Sequence, residues 1–148
     1  VSVHCVKQHG IFMKVLSELI EEGKPFPTAI GMHSFTGTAH HVKDIIKFEK
    51  LHFPERRFFY FGFSHIVNHE MCSSEESRRQ GREAVCAVPL DRLMAESDVH
   101  SARDVAVGTA GSVAYIAKAL GKPISEVAQF TAVNGLAFLK LTSRQHKS

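Results

Sequence analysis

The chain has 148 residues, 44% hydrophobic and 22% charged, with 11 Phe, no Trp and a net charge of +3. That length suits one domain and hides roughly two-thirds of the unfolded surface, while the apolar content excludes disorder and collagen-like repeats. No uncharged apolar run approaches the roughly 18 residues of a membrane span. The basic balance, with a pI near 8.9, permits an anionic partner without requiring one, and the short basic runs at 78–82 and 143–148 read as solvated surface.

Cys5, Cys72 and Cys86 have no paired spacing. A chain of this size needs no disulfide staples, so the expectation is reduced thiols and an intracellular, cytoplasmic protein, with nucleus and mitochondrion left open. The first residue is Val1 and the opening residues already read as strand, so the chain is expected to be a cut from a longer one, with no signal peptide.

Val1–Val6 is a short β-branched strand, followed by a helix over Gly10–Glu22 with Phe12, Val15, Leu16, Leu19 and Ile20 at helical spacing. Gly23 and the Pro25/Pro27 pair stop it. Thr28–Phe35 is the second strand and Thr38–Lys50 the second helix, closed by Pro54. Arg57–Phe63 is an aromatic third strand, apolar enough to be buried on both faces. Ser73 or Ser74 caps a third helix, Leu93–Ser97 is the fourth strand, and two helices follow over Val105–Leu120 and Pro123–Leu141. The order β-α-β-α-β-α-β-α-α implies a parallel sheet with right-handed crossovers. Two architectures fit: an open doubly wound sheet, or four strands of a (β/α)₈ barrel, which needs about 250 residues when whole.

In such sheets functional residues gather at the carboxyl ends of the strands. His4, His33 and Asp98 stand near three of those ends. Two imidazoles and a carboxylate suit a divalent cation, although a lone strand histidine is more often a hydrogen-bonded core residue.

The local sequences add to this. Val3-His4-Cys5, His33-Ser34-Phe35-Thr36-Gly37, Pro89-Leu90-Asp91-Arg92-Leu93 and Glu96-Ser97-Asp98 stand in that order, followed by Ile124–Ala128 and Asn134–Leu139. Together they resemble the TatD family of metal-dependent hydrolases, of the amidohydrolase type and often described as deoxyribonucleases, from Val1 to about Leu141. The resemblance implies the C-terminal half of a TIM-type barrel, with residues 1–148 as a partial domain whose N-terminal half is absent. It implies that His4 and His33 ligate metal on barrel strands five and six. Asp98, ending strand eight, would be both ligand and general base. The implied cofactor is a divalent cation (Mg, Mn or Zn), two in the whole protein, and the implied substrate is DNA or another phosphodiester held through its phosphates. The family's opening His-x-His pair and its middle-strand Glu have no counterpart here, so the fragment is not expected to be active alone. Val99–Arg103 departs from the family's usual continuation after the aspartate and leaves His100 and Arg103 as candidate phosphate contacts.

Other candidates have plainer readings. His65 and His69 stand at i, i+4 without the intervening Glu of zinc proteases, and a solvated loop is expected there, with His65 the better functional candidate. His40 and His41 cap the second helix, and Gly108–Ser112 permits close helix packing. Glu96 shares the alternation of Met94 and Asp98 and is expected to support the ligands from behind. Cys5 points away from His4 into the core, and the Phe58–Phe63 aromatics are core rather than a base-stacking surface. Three functions follow: a TatD-like metal-dependent phosphodiesterase, a non-catalytic family relative acting as an interaction scaffold, or a doubly wound module for a small anion. The half-barrel view also expects two bare edges, Val1–Val6 and Leu93–Ser97, and an uncovered apolar interior. The missing half or a second copy of the chain would cover them.

Overall fold

The central strand organises the molecule. In the computed structural model, which describes residues 1–139, β3 (Phe59–Phe63) is buried at every position. It pairs in parallel with β2 (Ile30–His33) and β4 (Leu93–Ala95), and β2 pairs with β1 (Ser2–His4). The order β1-β2-β3-β4 follows the chain without reversal. A doubly wound sheet needs such a reversal, so that alternative falls and the sheet is part of a (β/α)₈ barrel. The strands are shorter than the sequence pattern predicts, β3 losing two residues at its amino end and β2 two at each end.

Strand alternation divides the sheet into two chemistries. Ile30, Met32, Phe59, Phe61, Phe63 and Leu93 face the helices and form the core with Leu16, Val42, Ile45 and Val85, and Cys5 packs against it as expected. The opposite face carries Gly31, His33, Tyr60, Gly62 and Met94. The helices are α1 (His9–Glu21), α2 (Ala39–His52), α3 (Glu75–Ala87), α4 (Val105–Leu120) and α5 (Ile124–Leu139). Ser74, not Ser73, caps α3 by accepting from Ser77 N. Thr38 and His41 cap α2 reciprocally. Gly121 ends α4 in the left-handed conformation at φ 64°. The predicted end of the last helix at 140–141 and the basic run 143–148 lie outside the described residues.

Two features went unread in the sequence. Glu49, 2% exposed, accepts from Phe58 N and Phe59 N at 2.7 Å each and pairs with Arg92 at 2.7 Å, tying α2 to the starts of β3 and β4. Such a buried carboxylate is tolerable because its oxygens are satisfied. The inner face is also not uncovered, which corrects the expectation. Asn134 Nδ2 donates to Leu90 O and Leu93 O at 2.8 Å, fastening α5 across the start of β4. Phe138 then lies over Gly31 and 5.5 Å from the Tyr60 ring. No helix among the described residues is long and apolar enough to cross a membrane.

His9, at the start of α1, is 5% exposed and stacks on His41 at 4.5 Å. Burial, then the neighbouring His41, holds its pKa below the usual 6.5. The unfolded chain therefore binds a proton near pH 6.5 that the native state refuses, so this stability is present above pH 6.5 and is lost below it. The melting temperature should fall between pH 7.5 and 5, and His9→Phe, which keeps the ring stack, should flatten part of that slope in calorimetry.

Candidate metal centre

Parallel register places His4 directly opposite His33, with ring centroids 5.6 Å apart. His4 is exposed at the β1 edge, while His33 is partly covered. Asp98, three residues beyond β4, reaches back across the sheet so that its Oδ1 lies 3.2 Å from His33 Nε2. Glu96 approaches the same ring from the other side, Oε2 lying 3.0 Å from Nδ1. Of the predicted trio, His33 meets Asp98 directly and His4 stands beside His33, while Glu96 backs His33 as its alternation implied. A carboxylate accepting Nδ1–H fixes the imidazole tautomer whose Nε2 lone pair is available to a cation.

The sequence reading missed the residues that hold the acids. Ser34 N donates to Glu96 Oε2 at 2.7 Å, and Ser34 Oγ, with one proton to give, lies within hydrogen-bond distance of both Glu96 Oε2 and Asp98 Oδ2. Ser64 Oγ donates to Asp98 Oδ2 at 3.3 Å. Asn68 anchors this rim by accepting from Ser64 N at 2.9 Å and donating to Phe35 O at 2.8 Å. Ser64 was discoverable: it follows the last residue of β3, so every strand supplies a polar group to this rim.

Backbone strain gathers here as well. Among the described residues, the non-glycine positions with positive φ are Lys7 (56°), Ser34 (41°) and Asp98 (50°), each just past the carboxyl end of a strand. Each such conformation costs on the order of 1–3 kcal/mol and persists where surrounding contacts impose it, a pattern concentrated at functional sites.

As donors, two imidazoles and a carboxylate are chemically suited to a divalent cation. Their number is not: among the described residues no three His, Cys, Asp or Glu groups are arranged to hold an ion by themselves. A cavity of about 470 Å³ lies between α1 and α2, lined by His9, His40 and His41 and by none of the rim residues.

The remaining candidates fall as follows. His65 and His69 do not lie in a solvated loop, which corrects that expectation. Ile66–Glu70 is a π-helical turn, and the two rings stack at 5.0 Å because that turn brings i and i+4 onto one side. His40 pairs with Asp44 at 3.3 Å. His100 and Arg103 are exposed on the loop after Asp98. Gly108 does permit close packing: a Cβ there would lie 2.9 Å from Val99 and 3.0 Å from Ser97 O.

Sequential parallel strands with polar groups collected on the carboxyl-end rim define a barrel-type α/β protein with its candidate site in the usual place. The chain belongs to the family described as TatD related DNase, whose sequence model matches residues 1–140. It is also similar to the Cut9-interacting protein scn1 of Schizosaccharomyces pombe, with 26% identity over 166 aligned residues covering 96% of this chain. The alignment takes in 46% of that relative, so the chain spans about half its length.

Gly62 makes room for this network, because a Cβ there would lie 2.1 Å from the Glu96 carboxyl. Gly62→Ala should displace Glu96 and destabilise the fold by about 1–3 kcal/mol. Gly135→Ala, in open space within α5, should instead add roughly 0.5–1 kcal/mol. Chemical denaturation of the two variants checks both signs.

Proposed function

We propose that this chain supplies one side of the metal centre of a metal-dependent phosphodiesterase, with DNA as the substrate class. The observation that carries the reading is His33 held between Glu96 and Asp98, with His4 beside it, at the rim of a family barrel. His4, His33 and Asp98 are the ligands on this side. The other donors come from whatever strands pair with the β1 and β4 edges, so residues 1–148 act as half of a barrel domain.

His4, His33 and Asp98 would hold a divalent cation, Mg, Mn or Zn, which when bound would lower the pKa of a water and polarise the scissile phosphoryl group. Asp98 accepts the proton of the attacking water, and the Ser34 and Ser64 hydroxyls on Oδ2 keep its carboxylate oriented. Glu96 keeps the His33 ring in register through Nδ1. General-base roles of this kind contribute about 10²–10⁴-fold.

A second reading is a family member that binds partners without catalysis. It is favoured by the incomplete ligand grouping within the described residues and by the name of the yeast relative, an interacting protein. One assay separates them: Mn²⁺- or Mg²⁺-dependent cleavage of single-stranded DNA by the barrel-complete protein. Asp98→Asn should lower turnover about 10²–10⁴-fold with stability retained, and chelation should abolish it. Turnover indistinguishable from the chelated blank in wild type selects the scaffold reading, and unchanged turnover in Asp98→Asn removes that residue from the mechanism.

A further inference from the structure

A second cavity, about 270 Å³, opens in the helical layer between the π-turn, α3 and α4. It shares no lining residue with the His33–Asp98 network. His65 and His69 form one wall as stacked rings, Tyr115 and Gly111 line the α4 side, and Arg82 and Lys118 bring two permanent positive charges. No carboxylate lines it. We infer that this cavity is a binding site for a terminal, dianionic phosphate, of the kind carried by phosphomonoesters.

Charge and donor geometry support that ligand. Lys118 makes no ion pair among the described residues, and it faces the cavity from the last turn of α4. Arg82 uses one nitrogen on Glu75 at 2.7 Å, which leaves further guanidinium donors for a second anion. Glu70 meets His65 Nδ1 at 3.2 Å and orients that ring. The floor is Tyr115, 7% exposed, whose hydroxyl is buried beside Gly81 with no hydrogen-bond partner among the described residues. Burial pushes this phenol up to about 12, so it stays protonated and adds no negative charge beside the cavity. A phosphomonoester loses its second proton near pH 6, and its two charges then match the two fixed cations. A backbone diester carries one.

His69 reports on the field inside. Burial, then like charges from His65, Arg78 and Lys118, hold its pKa below 6.5, with Glu75 opposing. The groups facing it are His65 and Glu70 on its own turn, Glu75, Arg78 and Arg82 on α3, and Tyr115 and Lys118 on α4. An anion among them reverses the balance and raises the His69 titration.

The test is calorimetric and NMR titration of the chain in chelator, with inorganic phosphate, phenyl phosphate, and tetrathymidylate with and without a 5′-phosphate. Saturable binding of inorganic and phenyl phosphate is expected, with His69 titrating at higher pH in the complex. Binding of the phosphorylated oligonucleotide extends the site to strand ends, and its failure to bind assigns the cavity to small phosphomonoesters. Lys118→Gln and, separately, His69→Gln should weaken binding at least tenfold with the melting temperature retained. Lys14→Gln, an exposed lysine on α1, should leave it unchanged. Asp98→Asn should bind as wild type does, so failure of the metal-centre reading leaves this result intact. No saturable binding, equal binding of the unphosphorylated oligonucleotide, or unchanged affinity in both cavity variants overturns the proposal.

Discussion

Everything else in this molecule depends on β3 being buried on both sides while its two sides do different work. Phe59 meets Phe12 of α1 and Phe48 of α2 at 6.4 Å each, and Phe61 meets Phe35, in the loop after β2, edge-on at 5.2 Å. A strand packed this way cannot slip its register, since a one-residue shift would exchange every side chain between faces. With register secured, Tyr60 and Gly62 must face the inner side. There the absence of a side chain at Gly62 is what admits Glu96, and the absence of one at Gly31 is what admits Phe138.

The two ends of the sheet are built to different purposes. At the amino end, satisfied polar groups add stability: Glu49 ties two backbone amides and Arg92, and Asn134 ties two carbonyls. At the carboxyl end, Ser34 and Asp98 sit in strained backbone and are held there by hydrogen bonds between side chains. The strain is placed where two acids and an imidazole must be kept within hydrogen-bond distance of one another.

The helical layer is connected to that rim rather than merely laid over it. Ser112 on α4 donates to Glu96 O at 2.6 Å and accepts from His65 N at 2.9 Å. The backbone that carries Glu96 toward His33 and the turn that stacks His65 on His69 are therefore positioned by the same hydroxyl. A small residue on α4 makes this possible, with Gly108 pressed against Val99 and Ser97 O.

Periodicity and punctuation were enough to read the four strands and five helices, because hydrophobic spacing and Gly, Pro and Ser signals act locally. Strand parity alone put Cys5 in the core and Glu96 beside Asp98. Positions near strand ends, together with the motif order, gave the expectation that His4, His33 and Asp98 share one rim. Strand ends were overestimated, since β-branched composition does not report where a pairing partner stops. Ser34, Ser64 and Asn68 were not read as part of the site, because serine and asparagine are ordinary loop residues until a loop 30 to 60 positions away is folded against them. The same holds for the cavity, whose lining side chains lie on three elements separated in sequence. Tertiary structure decided those matters for one physical reason: hydrogen bonds and electrostatic fields depend on distance in space, whereas the alternation that sets the strands depends only on neighbours along the chain.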